Sequence, residues 1–204
     1  MVPSDGVDEE KRATLRRFAA LGASIPLLGS AASAAEDDSE VRDALVGYVA
    51  LTPGAHYSKV RDDLHLGNGE AQHHLRLLEE RGVVEAYSDG DYRRYVLSGR
   101  FDAFERRALG YLRRETPRGM LVELLRDPSV TASELAERLE VSRPTVSNHS
   151  GDLEEAGLLV RGDGYAVERP ETVLTLLVRH ADSFGERTAT LADEADELIS
   201  YDPT

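Results

Sequence analysis

The chain has 204 residues, no cysteine and a formal net charge of −14. This length indicates one or two domains, and the lack of cysteine excludes disulfides, thiolate metal sites and thiol catalysis. The acidity argues against a simple basic nucleic-acid binder, because such proteins normally present a positively charged face.

Residues 1–37 carry a leader-like pattern. Two basic pairs, Lys11-Arg12 and Arg16-Arg17, precede an uncharged run over 18–35. The twin arginine and the small residues resemble a twin-arginine export signal, although a helix over this run spans only about 27 Å, which is marginal for a bilayer. We interpret 1–37 as a peripheral or disordered leader with weak membrane association through 18–35. A start codon assigned too far upstream, and true export or tethering, are the alternatives.

Residues 38–100 predict three helices followed by a β-hairpin. Apolar side chains recur at helical spacing in three stretches, and Asn68 is placed to cap the third helix. The helices are expected over 39–52, 57–64 and 70–81, and the hairpin strands over 83–87 and 92–97. Helix, turn, helix and hairpin wing together make a winged helix-turn-helix, which is a DNA-reading module.

Residues 101–116 predict a connecting helix with four arginines. A solvated helical face that offsets neighbouring acids is one interpretation, and a bridge that contacts DNA phosphates is the other. The arginines concerned are Arg106, Arg107, Arg113 and Arg114.

Residues 117–169 predict a second winged helix-turn-helix. A helix over 133–140 ends in a tight turn, Ser142 supplies an N-cap oxygen for the next helix, and Gly157 ends that helix. Alternating residues over 158–160 and 165–167 predict the wing.

The second module repeats the first at a displacement of 75 residues, without a gap through the recognition-type helix. A gapless second copy makes a chance match to the pattern implausible and settles the domain organisation as two modules. Corresponding pairs include Pro53 and Pro128, Ser58 and Ser133, and His74 and His149.

Residues 170–204 predict a long helix with a heptad seam that dimerises. The alternative is one amphipathic helix that folds back onto its own modules. The dimerisation residues proposed for the seam are Leu174, Leu177, Ala181, Phe184, Leu191 and Leu198.

Motifs in both modules resemble a known group of regulators. Through the segments at 52–57, 66–69 and 89–95, the first module resembles archaeal transcriptional regulators with two helix-turn-helix domains, within the broad MarR/ArsR winged-helix group. The second module resembles MarR/ArsR modules through 141–147 and departs from them at Ser150, where leucine is expected. The resemblance covers roughly 39–170 and implies DNA binding, with terminal helices that dimerise.

The candidate DNA-binding residues lie in the turns, recognition helices and wings. Arginine can pair bidentately with guanine and asparagine with adenine, whereas basic and hydroxyl side chains contact phosphates. Base reading is assigned to Arg143, Thr145, Ser147 and Asn148, and to Gln72, His73 and Glu70 in the first module. Phosphate contacts are assigned to Ser58, Lys59, Arg76, Arg93, Arg94 and Arg161.

These patterns predict a mainly α fold with small β-hairpin wings (α+β) and a sequence-specific, dimeric, cytoplasmic transcriptional regulator that binds double-stranded DNA. The alternative class is a protein-interaction scaffold of tandem winged helices, as in chromosome segregation. No nucleophile–base pair, phosphate loop or metal-ligand spacing stands out, so we expect neither catalysis nor a cofactor. Lys11 and Lys59 are the only lysines, and this composition resembles that of proteins from halophilic organisms. In the molar-salt cytosol of such organisms the Debye length is only about 3 Å at 1 M, so the repulsion between the acidic chain and DNA is largely screened.

Overall fold

The computed structural model describes residues 5–22 and 36–193, and the chain divides into two compact units at the boundary between Phe101 and Asp102. The first unit contains α1 (Asp5–Gly22), α2 (Glu36–Leu51), β1 (Ala55–His56), α3 (Tyr57–Asp63), α4 (Asn68–Glu80), β2 (Val84–Asp89) and β3 (Tyr92–Leu97). The second unit contains α5 (Ala103–Leu112), α6 (Glu115–Arg126), α7 (Ala132–Arg138), α8 (Arg143–Glu155), β4 (Leu159–Arg161), β5 (Tyr165–Val167), α9 (Pro170–Arg179), α10 (Ala181–Phe184) and α11 (Glu186–Asp193).

The first unit is a winged helix closed by a three-stranded antiparallel sheet in the order β1-β3-β2. Its core gathers apolar side chains from α1 to α4 and from the strands, including the fully buried Leu45, Val60 and Leu78. The wing turns at Gly90, whose φ of 57° lies in the left-handed region that glycine adopts at little cost. The fold class predicted from the sequence is confirmed.

The leader prediction is wrong for residues 5–22, which form a helix packed against α2 in the first unit. Leu15 is part of the core, and the Phe18 ring meets the Tyr48 ring edge-on at 5.3 Å between centroids. The twin arginine therefore lies in a docked helix. Residues 23–35, which make up most of the uncharged run, lie outside the described residues. None of the helices in the described ranges is long and apolar enough to cross a membrane.

The two helix-turn-helix motifs repeat in backbone conformation as well as in sequence. His65 and Glu140, which are 75 residues apart, both adopt left-handed φ, at 53° and 55°, in the turn between helices. Gly82 and Gly157 both have a φ of 67° after the recognition helix. The helices themselves, α3 with α7 and α4 with α8, have equal lengths and the same displacement.

The caps of the recognition helices differ between the modules. Ser142 caps α8 as predicted, accepting the Thr145 amide at 3.2 Å. The predicted Asn68 cap is wrong, because Gly67 occupies the N-cap position and Asn68 begins α4. The gapless repeat already pairs Ser142 with Gly67, so the register of the second module indicates the correct cap of the first.

Ser150 replaces the expected leucine without leaving an unsatisfied group. Its side chain is fully buried, and its hydroxyl donates to the Val146 carbonyl at 2.7 Å. A helical serine that bonds back to residue i−4 in this way satisfies its own hydroxyl. The recognition helix of the second module therefore packs with a smaller, hydrogen-bonded side chain.

The helix predicted as a connector over 101–116 is shorter and belongs to the second unit, where α5 packs on α6 and α9. Its arginines hold that unit together. Arg107 donates to the Ala156 carbonyl at 3.1 Å, Arg113 donates to the Ser183 carbonyl at 2.8 Å, and the Arg114 guanidinium lies 4.5 Å from the Tyr111 ring centre.

The predicted dimerisation seam is wrong as a continuous helix surface. Residues 170–193 form three helices, α9, α10 and α11, which change direction at His180 and Gly185. Their apolar side chains are buried within one chain, since α9 contacts α5 and α11 contacts α6 and α9. Leu174, Leu177, Phe184 and Leu191 are buried and Ala181 is half-buried, whereas Leu198 lies outside the described residues. Residues 170–193 therefore fold back on their own unit, as the alternative interpretation expected, but as three helices rather than one long helix.

Candidate nucleic-acid interface

The recognition helix of the second module presents polar side chains from its first two turns. Arg143, Ser147 and Asn148 are exposed. Thr145, assigned to base reading, is half-buried, and its hydroxyl lies 2.8 Å from the Ser142 hydroxyl. Thr145 therefore belongs to the cap of α8, and the other three form the exposed face.

Arg143 differs from the other candidate cations because its guanidinium is unpaired in the described residues. The first turn of α8 contains no acidic residue, and Arg143 has neither an ion-pair nor a hydrogen-bond partner within 5–22 and 36–193. Because its five N–H donors stay in water, they reach a base edge or phosphate without first breaking a protein contact.

The recognition helix of the first module is arranged differently. Gln72, His73 and Arg76 are exposed along α4, but Glu70 is not available for base reading. One Glu70 carboxylate oxygen accepts the Gly67 amide at 3.0 Å, and both oxygens accept from the Lys11 ammonium at 2.9 and 3.0 Å. Although burial raises the pKa of Glu70, the hydrogen bonds from Lys11 and Gly67 hold this pKa below its ordinary value.

Three cations of the first module that were assigned to phosphate contacts are exposed but paired with acids of their own unit. Arg76, Arg93 and Glu79 line a cleft of about 700 Å³ between α4 and the wing, where Ser58 is also exposed. The pairs are Lys59 with Asp63 at 2.9 Å, Arg76 with Glu80 at 2.8 Å and Arg93 with Glu79 at 2.5 Å. Exposed pairs of this kind contribute little to stability, because water and salt screen them, so phosphate can replace the carboxylates.

Arg94 is wrong as a phosphate contact, because its side chain is only 2% exposed. Its guanidinium donates to the Asp89 carboxylate at 2.6 Å and to the Gly54 carbonyl at 2.9 Å, and it lies 5.1 Å from the Tyr92 ring centre. Arg94 thus joins the wing to the loop before β1 and cannot reach DNA.

The second wing has one cation, at the last position of β4 before the turn. Arg161 is exposed and pairs with Glu154 of α8 at 2.5 Å, which lowers the pKa of the Glu154 carboxyl. The two residues line a cleft of about 760 Å³ between the wing and the start of α7. This cleft shares three repeat-equivalent positions with the α4–wing cleft, because Thr131, Ala132 and Glu154 correspond to His56, Tyr57 and Glu79.

Comparison with protein families agrees with this geometry. Residues 118–169, which hold α8 and its wing, match the MarR family. Residues 39–109 match a family described as an N-terminal HTH domain. The chain is a MarR-like winged helix-turn-helix regulator. A search of curated proteins and a search of solved structures each gave no match.

Both matched families are DNA-binding regulators rather than enzymes, so the MarR-like regulator binds double-stranded DNA and acts in transcription. The matches do not favour the protein-interaction scaffold.

The described residues of the chain contain no group of three acidic, histidine or cysteine side chains that could hold a metal ion. His74 lies on the buried face of α4, while His73 on the same helix is exposed.

Two contacts of the MarR-like regulator were missed in the sequence. The Tyr57 hydroxyl donates to Asn68 at the start of α4, 2.7 Å from its carbonyl and 2.9 Å from its side-chain oxygen. Lys11 reaches α4 from a helix 59 residues earlier. The signal for the second contact was present, because Lys11, Leu15, Phe18 and Ala19 recur at helical spacing, but the segment was interpreted as a leader.

Proposed function

We propose that the regulator recognises specific promoter sequences with both modules, and that α8 is the principal reading helix. The observation that carries this proposal is the free, exposed Arg143 followed by Ser147 and Asn148 on one helix face. Recognition helices contact base edges with residues near their N-termini, and arginine and asparagine give the bidentate contacts to guanine and adenine.

The first module contributes mainly positioning in this proposal. Gln72 and His73 are its exposed candidates for base contacts, and Ser58 lies beside them as a hydroxyl donor. Lys59, Arg76 and Arg93 contact phosphates after exchanging their carboxylate partners, and Arg161 does the same in the second module. Phosphate contacts fix register and orientation without reading sequence.

Binding as a homodimer is part of the proposal, because dimers are typical of MarR proteins. The buried residues of α9 and α11 do not supply the interface, so it uses other surface. Light scattering on the full chain checks this, and a two-fold symmetric DNA site is the matching expectation. The location proposed with this function is the cytoplasm, where a regulator reaches the DNA.

The test begins with selection of bound duplexes from a random-sequence pool, using the full chain. Arg143→Ala and Asn148→Ala are each expected to weaken binding to the selected duplex by about 5- to 150-fold, because a base contact contributes about 1–3 kcal/mol. Each variant should also relax the sequence preference at one or two positions.

Arg179→Ala is the matched control, since Arg179 is exposed at the end of α9 and belongs neither to α8 nor to a wing. It should leave affinity unchanged. Failure to enrich any shared motif, or equal affinity for all three variants and the parent protein, contradicts base reading by α8.

A further inference from the structure

The N-terminal helix α1 lies outside both matched segments, which begin at residues 39 and 118, yet it is integral to the first module. It packs along α2 at a close helix crossing: a Cβ added at Gly22 would overlap the Asp43 carbonyl oxygen, and one added at Gly47 would overlap the Phe18 carbonyl oxygen. Such close backbone approach fixes the position of α1. Its side chains therefore have defined places relative to α4.

Lys11 is the α1 side chain that reaches the recognition helix. Its ammonium contacts both carboxylate oxygens of Glu70, in the first turn of α4. Lys11 is 27% exposed and Glu70 is 31% exposed, so the pair is partly screened from water but remains at the surface. The exposed Gln72 lies two residues further along the same helix.

Glu70 meets two opposing requirements. Its carboxylate accepts a hydrogen bond from the Gly67 amide and interacts favourably with the positive N-terminal end of the α4 dipole. Both interactions stabilise the helix. The same negative charge stands where the helix must approach DNA, and a carboxylate near phosphates is repelled. The capping glutamate therefore needs a neighbouring cation whenever the first module binds DNA.

We propose that Lys11 is a positioning residue of the DNA interface, which neutralises the capping Glu70 and so permits the recognition helix of the first module to approach the phosphates. The inference rests on the DNA-binding function proposed above. It extends the functional module of this chain to the N-terminal helix and makes the Lys11–Glu70 pair part of its DNA affinity.

The alternative role for α1 is a cover that blocks the recognition helix. The exposure of side chains argues against it, because Gln72, His73 and Arg76 are all exposed with α1 docked. The extensive packing of α1 is on α2 rather than on α4. Within the described residues, the helix touches the reading face at its edge.

The experiment measures the affinity of the full chain for the selected duplex in four variants: Lys11→Ala, Lys11→Arg, Glu70→Gln and the double variant Lys11→Ala/Glu70→Gln. Lys11→Ala is expected to weaken binding roughly fivefold, which corresponds to about 1 kcal/mol. Lys11→Arg should bind like the parent, because it keeps the charge. Glu70→Gln in the Lys11→Ala background should restore affinity, because the amide oxygen still accepts the Gly67 N–H while the uncompensated charge is gone.

Three outcomes overturn the proposal. Unchanged affinity of Lys11→Ala removes any role for the pair, and higher affinity identifies α1 as a cover. If Lys11→Ala weakens DNA binding and Glu70→Gln fails to restore it, Lys11 either contacts phosphate itself or only anchors α1. A slope of log affinity against log salt concentration that is lower by about 1 in Lys11→Ala identifies the phosphate contact. If the parent chain selects no motif and Arg143→Ala changes nothing, the proposed function has failed as a whole. If Arg143→Ala weakens binding while Lys11→Ala does not, only the present inference has failed.

Discussion

Two adjacent arginines of the first wing have opposite roles, although they look alike in sequence. Arg93 and Arg94 alternate across β3, because successive side chains in a strand point to opposite faces. Arg93 faces the α4–wing cleft with 60% of its side chain exposed. Arg94 faces inward to Asp89 and the Gly54 carbonyl. One residue is available to DNA and the other stabilises the wing.

Replacing each arginine by alanine should separate these roles. Arg94→Ala leaves Asp89, only 15% exposed, without its guanidinium partner, and we expect the free energy of unfolding to fall by roughly 3 kcal/mol, as for a broken buried pair. Arg93→Ala should cost less than about 1 kcal/mol, because its pair is exposed. Urea unfolding followed by circular dichroism measures both. Equal losses for the two variants would refute the assignment.

At this scale the sequence predicted local features better than distant ones. The Ser142 cap and the stop at Gly157 were predicted correctly, because each depends on a few neighbouring residues. The burial of Arg94 was not predicted, since the phase of strand alternation depends on which face meets the module. The Lys11–Glu70 contact was not predicted, because the helical spacing in α1 indicates a buried face but not that this face packs on the first module.

The sequence patterns predicted correctly where most helices form, but they did not predict which elements those helices pack against. The helices of both modules lie close to the expected positions, because their apolar spacing is strong. The spacing over 170–198 satisfied a heptad seam equally well, yet α9 to α11 use those residues inside one chain. A periodic apolar stripe shows that a helix buries one face, but the partner that covers the face comes from tertiary structure.

The crossing of α1 and α2 gives a test at this scale. Gly47→Ala places a methyl group against the Phe18 carbonyl oxygen, and we expect α1 to be displaced, since such overpacking costs about 1–3 kcal/mol. Amides of residues 9–22 should then exchange hydrogen faster, and DNA affinity should fall as in Lys11→Ala. Hydrogen-exchange mass spectrometry provides the measurement.

Gly151→Ala is the control for this substitution, because a Cβ at Gly151 in α8 meets nothing within 4 Å. It should stabilise the second unit by up to about 1 kcal/mol, the helix-propensity difference between glycine and alanine. Unchanged exchange in 9–22 after Gly47→Ala would show that α1 tolerates a wider spacing.

The whole molecule combines two DNA-reading modules with a strongly acidic composition. The repeat at 75 residues predicted this organisation, and the backbone reproduces it at His65 and Glu140. The net charge of −14 did not predict the function, because composition averages over the surface. On the reading faces, most of the cations are held by acids of the same unit, and Arg143 is the exception in the described ranges.

This charge arrangement leads to an unusual expectation for association with DNA. At about 0.01 M salt the Debye length is about 30 Å, so the net negative charge repels the duplex over the whole approach. At about 0.15 M the length is about 8 Å, and the approaching duplex is exposed mainly to the nearby reading faces. The association rate constant should therefore rise over this range, whereas a domain with a basic face associates more slowly as salt increases.

Stopped-flow association of the full chain with the labelled selected duplex, from about 0.01 to 0.15 M salt, tests this expectation. Arg143→Ala is the informative control, because a single base contact acts on dissociation rather than on long-range approach. It should shorten the lifetime of the complex and leave the salt dependence of association as it is in the parent chain. A rate constant that falls steadily with salt in both proteins would mean that the local field of the reading faces outweighs the net charge even at long range. The paired cations of the first module would then already act as free charges before contact, and exchange of their carboxylate partners would not be a separate step in binding.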